Sequence, residues 1–250
     1  MKIKMIAIAA AAAVATVFSA NLNAQALPPA PTKNIQQEEV KLPTGYIHGL
    51  GCEAWSITSL PFNPRLYIDN FDAKDRSAVS NSAKKDAASR PSVAVFNVKT
   101  FPFDSLEFRQ LPDMKSVRNE VGYRAVLTGY IRTSFAGKHD FLIQTNGFNC
   151  KPQPGYWGAN FLAVQMTVNK KTIFDASVFA QDGGNGTYSK GNMPCGSSID
   201  LPEAGFYPFS CEIIVADQWK DAISRFKITV REPGKKTYRE LKITDFATVE

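Results

Sequence analysis

Apolar and polar residues alternate in period two along most of the chain after Gly122. The clearest stretches are GYRAVLTGYIRTS, KHDFLIQT, NFLAVQMTV, GFYPFSCEIIVA, AISRFKITVR and YRELKITDF. Such alternation, carried by β-branched and aromatic residues, is typical of strands with one buried face. Turn signals separate the stretches, at Ala136-Gly137, Asn169-Lys170, Pro202 to Gly205 and Pro233-Gly234. With no amphipathic helix between them, these strands predict an all-β fold, an antiparallel β-sandwich.

The chain before Gly122 adds further strands and one insertion. The sequence pattern predicts strands at Tyr46 to Ile57 and Val93 to Lys99, with shorter strands at Arg65 to Asp69 and Leu106 to Arg109. Residues 73–92, AKDRSAVSNSAKKDAASRPS, almost lack large apolar side chains, which is typical of an exposed loop or a short solvated helix. Because strand-like text resumes directly afterwards, we interpret 73–92 as an insertion in a single domain spanning 43–250.

The N-terminus predicts export. Lys2 and Lys4 precede an apolar run, and Ala24-Gln25-Ala26 forms a small-x-small cleavage site. Residues 1–26 are therefore interpreted as a signal peptide, because the run is too short and too Ala-rich for a membrane span. No later stretch could span a membrane. The protein is expected to be periplasmic, or extracellular at the cell surface.

Residues 27–42, LPPAPTKNIQQEEVKL, are rich in Pro, Gln and charge. Their apolar content is too low to pack, so they predict a flexible leader that could serve as a tether.

Charge and cysteines restrict the function further. The formal charge of +6 falls to +4 when Lys2 and Lys4 leave with the signal peptide, 6 − 2 = 4. No dense Lys/Arg cluster remains, which argues against nucleic-acid binding.

The chain has four cysteines, Cys52, Cys150, Cys195 and Cys211, and no C-x-x-C motif. Cysteines in an oxidising compartment usually pair, and these four allow three different pairings.

The order of several short motifs resembles the anthrax protective antigen type of β-sandwich domain, a family that includes flocculin-like adhesin modules. Each motif alone is a common β-hairpin signal, so the order carries the resemblance. The motifs are Gly49-Leu50-Gly51 with Trp55, Leu127 to Ile131, Gly137 with Phe141 and His139 in place of an aromatic, Leu162 to Asp175, and Ile199-Asp200-Leu201 followed by Ala204 to Pro208.

The resemblance implies a disulfide pattern but not the family's metal. Its topology would bring the loop after Thr145 near the SIDL strand, which favours Cys150 with Cys195 and leaves Cys52 with Cys211. Glycan-binding members hold calcium with paired aspartates, and carboxylates are what calcium prefers. The corresponding loop here, TNGFNCKPQPGYWGAN, has no Asp or Glu. No metal and no cofactor is therefore expected.

That same loop holds the predicted ligand-binding residues. Tyr156 and Trp157 lie in a Pro/Gly-framed segment beside Cys150, where two rigid aromatic faces could stack on sugar rings or anchor a protein interface. Asn146 and Asn149 add amide groups. The alternative is that Trp157 folds inward and closes the end of the sandwich.

Other candidates for metal binding or catalysis fit no known pattern. Asp182 and Asn185 lie in a glycine-rich loop, and Asp69, Asp72 and Asp75 near the insertion lack calcium-loop spacing. A catalytic triad would need His48 or His139, both expected to face solvent or a neighbour, and G-x-S-x-G is absent. A carboxylate pair could come from Glu53, Glu107 or Asp200, at separations that sequence does not give.

We therefore expect a non-enzymatic exported recognition module that binds a surface glycan or a protein partner, in the manner of an adhesin. The alternative is a structural subunit of an envelope machine such as a pilus, conjugation or secretion system. The leader at 27–42 and free strand edges would suit that role.

Overall fold

The computed structural model describes residues 37–57, 81–82, 84–99, 111, 114, 122–145, 159–182, 187–191, 193–217 and 226–250. Every strand pair within them is antiparallel. The strands form two sheets, of nine and four strands. The predicted all-β antiparallel sandwich is confirmed.

Most strands follow the alternating stretches of the sequence, but residues 238–246, YRELKITDF, expected as one strand, contain a two-residue strand, a 3-10 turn and the first residue of another strand. The strands are β1 (Tyr46–Ile47), β2 (Leu50–Ile57), β3 (Ala94–Val98), β4 (Gly122–Thr133), β5 (Gly137–Thr145), β6 (Ala159–Val168), β7 (Lys171–Asp182), β8 (Thr187–Gly191), β9 (Cys195–Leu201), β10 (Gly205–Asp217), β11 (Phe226–Arg231), β12 (Arg239–Glu240) and β13 (Phe246–Val249), with a 3-10 turn at Ile243–Asp245.

In the large sheet the strand order is β1-β13-β4-β10-β6-β7-β8. β2 and β13 pair with the same edge of β4, one after the other along that strand. β3 pairs with β2. In the small sheet the order is β12-β11-β5-β9. The central strands β4 and β10 pair from Gly205 with Thr133 to Ala216 with Gly122.

Alternation in β4 shows how the sequence builds the core. Tyr123, Ala125 and Leu127 are buried, whereas Arg124 and Val126 between them are only partly covered. The buried positions face the small sheet, and the intervening positions lie on the outer face of the large sheet. Burial of a large apolar side chain stabilises the fold by about 1.5–3 kcal/mol. The largest fully buried residues come from both sheets: Tyr123, Phe141, Phe161, Phe226, Phe246 and Leu50.

Strand register corrects the expected bridge between Cys52 and Cys211. Both residues pair with Leu127, one from each side of β4. They are therefore two strand spacings apart, about 10 Å, whereas a disulfide needs Cα atoms within about 7 Å. Cys211 is a buried thiol, and the predicted pairing is wrong.

The second expected disulfide joins Cys150 to Cys195, which is the first residue of β9. Cys195 is a thiol in the structure, and Cys150 lies outside the described residues. Cys195 pairs with Ile143, two residues before β5 ends at Thr145. The connection that carries Cys150 therefore starts after Thr145, two residues beyond the partner of Cys195, and the bridge itself stays a prediction.

The insertion differs from its expected solvated state. Residues 81–82 and 84–88 are helical, Ala87 is fully buried, and the Lys84 ammonium lies 2.7 Å from the Glu212 carboxylate on β10. Lys84 and Ala87 are three residues apart and so share a helix face. This insertion helix therefore packs on the outer face of the large sheet. The pieces expected at 65–69 and 106–109 lie outside the described residues.

Part of the expected flexible leader is described. Residues 37–42 have no regular secondary structure, and the Glu38 amide donates a hydrogen bond of 2.8 Å to the Ser134 carbonyl oxygen. Residues 27–36 lie outside the described part. Among the residues that the structure describes, no helix has the length and apolar character needed to cross a bilayer.

Candidate recognition surface

The two ends of the sandwich are built differently. At one end, called the turn end, the strands are joined by three short turns, at residues 134–136, 169–170 and 202–204. At the opposite loop end, long connections leave β2, β5 and β10 at Ile57, Thr145 and Asp217. Long loops on a rigid scaffold are where binding residues most often occur.

The predicted ligand-binding residues belong to the loop end by connectivity. Asn146, Asn149, Tyr156 and Trp157 lie between Thr145, where β5 ends, and Ala159, where β6 begins. All four lie outside the described residues, so their role stays a prediction. The connection joins β5 of the small sheet to β6 of the large sheet.

The metal candidates are only partly described. Asp182 ends β7, where its backbone pairs with Thr187. Asn185 and the aspartates 69, 72 and 75 lie outside the described residues. Among the residues that are described, no three His, Cys, Asp or Glu side chains come together as metal ligands.

The carboxylates considered for catalysis are far apart. Glu53 is exposed on β2, on the outer face of the large sheet, and Asp200 is exposed on β9, on the outer face of the small sheet. The core of the sandwich therefore separates them. Glu107 lies outside the described residues. Glu53 and Asp200 do not form a catalytic pair.

The two histidines occupy different environments. His48 is exposed, with Nδ1 3.2 Å from the Phe246 carbonyl oxygen. His139, expected to face solvent or a neighbour, is 2% exposed and points into the core. Its Nδ1 donates to the Gly137 carbonyl oxygen at 2.9 Å, which leaves Nε2 to accept from the Thr133 hydroxyl at 2.6 Å.

Burial lowers the pKa of His139 below its usual value. Desolvation is the largest cause, and the hydrogen bond to Gly137 and the charges of Glu232 and Asp200 oppose it. The positive charge of Arg239 adds to the lowering. His139 is therefore a neutral residue of the core at physiological pH, held in one tautomer by its two partners.

A polar network on the small sheet was not predicted from the sequence. The Arg231 guanidinium donates to Asp140 at 3.0 Å from Nε and 2.5 Å from Nη2, and the Ser198 hydroxyl donates to Asp140 at 2.6 Å. Ser198 and Arg231 both lower the pKa of Asp140. Tyr238 lies over Arg231 at 5.1 Å. Asp140 therefore joins three neighbouring strands, which only their register brings together.

A second network joins the insertion helix to the large sheet. Arg124 lies 4.6 Å from the Trp55 ring centre, and its Nε donates to Glu212 at 2.6 Å. Glu212 also pairs with Lys84 of the helix. These four residues come from distant parts of the sequence, and no local pattern marks them as partners.

The turn end carries an open groove that the sequence did not indicate. The groove has a volume of about 700 Å³ and lies between the leader and the end of β4. One wall is formed by residues 37–42 and the other by Arg132 and Ser134. The hydrogen bond from Glu38 to Ser134 holds the walls together.

Tyr130 on β4 and Tyr46 on β1 lie on the outer face of the large sheet and are not among the residues that line the groove. Tyr130 precedes Arg132 by two residues, and its ring meets that of Tyr46 edge-on, with centres 5.6 Å apart. A hydrogen bond with Tyr130 raises the pKa of the Tyr46 phenol. Val249, which pairs with Tyr46, is 60% exposed. Tyr130 and Tyr46 therefore form an aromatic pair on the outer face of the large sheet.

Comparisons with known proteins find solved structures that are similar to this chain at low identity. No protein-family model matches the sequence, and no curated protein matches it. Similar solved structures include the PA14 domain of the MpAFP antifreeze protein, at 14% identity and a TM-score of 0.45, covering 85% of this chain and 96% of that chain.

Two further structures are A domains of epithelial adhesins from Candida glabrata. Epithelial adhesin 9, in complex with Galb1-3GlcNAc, is 13% identical with a TM-score of 0.41, covering 86% of this chain and 96% of its own. Epithelial adhesin 6, with the same sugar, is 13% identical with a TM-score of 0.43, covering 85% and 90%. At these scores the likeness carries no argument about ligand or site.

Proposed function

We propose that the chain is an exported, non-enzymatic recognition module that binds a surface glycan or a protein partner. The observation that supports this proposal best is the contrast between the two ends of the sandwich. Three long connections leave strands at one end of the framework, and three short turns join strands at the other end. This arrangement suits recognition by loops.

In this proposal Tyr156 and Trp157 are the main ligand contacts, with Asn146 and Asn149 as hydrogen-bonding groups. Their loop begins at Thr145 and ends at Ala159, both in paired strands. A loop anchored in this way at both ends can present aromatic rings at low entropic cost. The loop contains no carboxylate, so binding is expected to be independent of calcium.

The test compares the mature protein with the variant Tyr156→Ala/Trp157→Ala on a glycan array, with calcium and with chelator. We expect a glycan signal that chelator leaves unchanged and that the double variant lowers at least about tenfold, as loss of aromatic contacts does. Circular dichroism confirms that the variant is folded. A folded variant that retains all binding would exclude this site.

The alternative, a structural subunit of an envelope machine, is favoured by the edge strand β3. Within the described residues β3 pairs only with β2, and Val95 on β3 is 76% exposed, with Val93 46% exposed. An apolar, unpaired edge can accept a strand from a partner. The β3 edge and the loop with Tyr156 and Trp157 are separate segments of the chain, so variants can test the two functions independently.

A native pull-down from the cell envelope separates the two functions. If the alternative is correct, defined envelope proteins co-purify and the glycan array is blank. Val95→Lys, which puts a charge on the β3 edge, should then release these proteins. Val249→Lys, at another exposed valine, is the matched control and should retain them. Loss of the partners with both variants would indicate a general surface effect and not the β3 edge.

A further inference from the structure

Tyr46 and Tyr130 meet on the outer face of the large sheet, and neither belongs to the aromatic loop or to the lining of the turn-end groove. β13 lies between their strands, since Tyr130 pairs with Ala247 and Tyr46 pairs with Val249. The two side chains therefore approach each other across β13, and Ala247, on the same face between them, is fully buried. Their ring centres lie 5.6 Å apart, with an angle of 74° between the ring planes.

The phenol groups of this pair lie side by side and within reach of solvent. A hydrogen bond with Tyr130 raises the pKa of the Tyr46 phenol, so the two hydroxyl groups are neighbours. Both side chains are partly exposed. In an oxidised phenol the ring carbons next to the hydroxyl carry part of the unpaired electron, so the reactive carbons of the two rings are also neighbours. Partly exposed rings rotate on the picosecond to nanosecond timescale, which lets these carbons meet from an edge-on start.

The other tyrosines whose side chains the structure describes have different surroundings. Tyr123 and Tyr207 are buried, and the Tyr207 hydroxyl donates to the Glu203 carbonyl oxygen at 2.8 Å. Tyr238 is exposed, but its ring lies against the Arg231 guanidinium. Among these tyrosines, Tyr46 and Tyr130 are the pair that combines access to solvent with contact between two phenols.

We propose that Tyr46 and Tyr130 are a modification site, at which hydrogen peroxide and a haem peroxidase join the two rings in a dityrosine cross-link. The peroxidase removes one electron and one proton from each phenol, which leaves two phenoxyl radicals. A carbon–carbon bond forms between one ring carbon next to each hydroxyl, and the proton on each of these carbons moves to the phenol oxygen. The chain thus loses two electrons and two protons, which reduce hydrogen peroxide to two molecules of water. The proposal is independent of the recognition function above.

The cross-link secures the short strand β1. This strand has two residues, and among the described strands it pairs with β13 alone. The new bond joins β1 covalently to the central strand β4 and closes a loop of 84 residues, 130 − 46 = 84. A cross-link stabilises a fold mainly by restricting the unfolded chain, and the effect grows with the length of the loop. The oxidised protein is therefore expected to unfold at a higher temperature.

The experiment treats the mature protein with a haem peroxidase and hydrogen peroxide, then reduces, alkylates and digests the monomer with trypsin. Cleavage after Lys and Arg places Tyr46 in peptide 42–65 and Tyr130 in peptide 125–132, and neither peptide holds a second tyrosine. We expect these two peptides to be joined, with a mass two hydrogens below their sum and the blue fluorescence of dityrosine. Dilution of the protein should leave the yield unchanged, because one chain holds both reacting rings.

Tyr130→Phe and Tyr46→Phe each keep the ring but remove one phenol, so each should abolish the linked peptide. Tyr238→Phe, at an exposed tyrosine beside Arg231, is the matched control and should retain it. The linked monomer should have a Tm higher by about 5 °C or more. Absence of the linked peptide from the wild-type monomer, or its persistence in Tyr130→Phe, would overturn the proposal. A linked monomer with an unchanged Tm would overturn the role of the bond in securing β1.

Discussion

His139 makes stability depend on pH through its burial. Its folded-state pKa lies below the value of about 6.5 in the unfolded chain, so the unfolded state binds more protons as the pH falls. The stabilisation is therefore complete above about pH 6.5 and declines below it, by up to about 1.4 kcal/mol per pH unit. We expect urea unfolding to show this loss between pH 7.5 and 5.

His139→Gln should reduce that pH dependence, because glutamine does not titrate. The variant is expected to be less stable than the wild type at pH 7.5 and closer to it at pH 5. His48→Gln, which removes a histidine from the exposed surface, is the matched control variant. The same steep loss in His139→Gln would mean that another group causes the acid sensitivity.

Gly129 on β4 is required by a close approach of two strands. A Cβ added there would lie 2.6 Å from the Ala247 carbonyl oxygen on β13. Backbone cannot move aside cheaply, so we expect Gly129→Ala to cost about 1–3 kcal/mol of unfolding free energy, as overpacking does. Gly205→Ala, where an added Cβ has no neighbour within 4 Å, should be near neutral. Equal thermal stabilities of the two variants would contradict this reading.

At the scale of elements, local patterns predicted the strands but not their partners. The period of two located β4, β5, β6, β10 and β11, and the turn signals at 169–170 and 233–234 fall between strands. The pairing of β10 with both β4 and β6 joins segments far apart in sequence. Register between such segments depends on packing in the core, which alternation within one strand does not encode.

The cysteines show the effect of this missing register. The expected oxidising compartment and the even number of cysteines favoured a disulfide between Cys52 and Cys211. In the sheet, however, Leu127 lies between them. Burial also raises the pKa of the Cys211 thiol. We expect Cys211 to resist alkylation in the folded protein and to react in denaturant, since the reactive form is the thiolate.

The bridge between Cys150 and Cys195 stays a prediction that peptide mapping can test. We expect oxidised protein to yield a peptide linking these two residues, with Cys52 and Cys211 alkylated only after unfolding. Recovery of a Cys52–Cys211 peptide would contradict the register of β2, β4 and β10.

At the scale of the whole molecule, the insertion helix adds a partial third layer to the sandwich. Outer faces of sheets are usually exposed, but here Ile214 and Ala163, on that face of the large sheet, are buried. The helix packs with Ala87 inward and Ala88 outward. The composition of residues 73–92 predicted a solvated segment. Alanine occurs in both exposed and buried helix positions, so the sequence alone does not show that Ala87 is buried.

Ala87→Glu should therefore unfold this layer or weaken the protein by about 3 kcal/mol or more, since it would bury an unpaired charge. Ala88→Glu, one residue later and exposed, should change stability by less than about 0.5 kcal/mol. Chemical denaturation of both variants measures the difference. Similar midpoints would show that the helix does not depend on its contact with the sheet.

The candidate sites were predictable to different degrees. Tyr156 and Trp157 stand out in the sequence because Pro and Gly frame them. The turn-end groove does not, because Arg132 appears as one polar residue in an alternating strand and Glu39 as part of a polar leader. Only the hydrogen bond from Glu38 to Ser134 brings the two segments together.

The position of β13 has a consequence for biogenesis. Phe246 pairs with Ile131, 115 residues earlier in the chain (246 − 131), and β13 also holds β1 in the sheet. At a synthesis rate of about 5–20 residues per second, β4 waits roughly 6–23 s for this neighbour. During that interval the nascent chain keeps an unfinished sheet, and its unpaired β4 edge is the kind of surface that chaperones protect from aggregation.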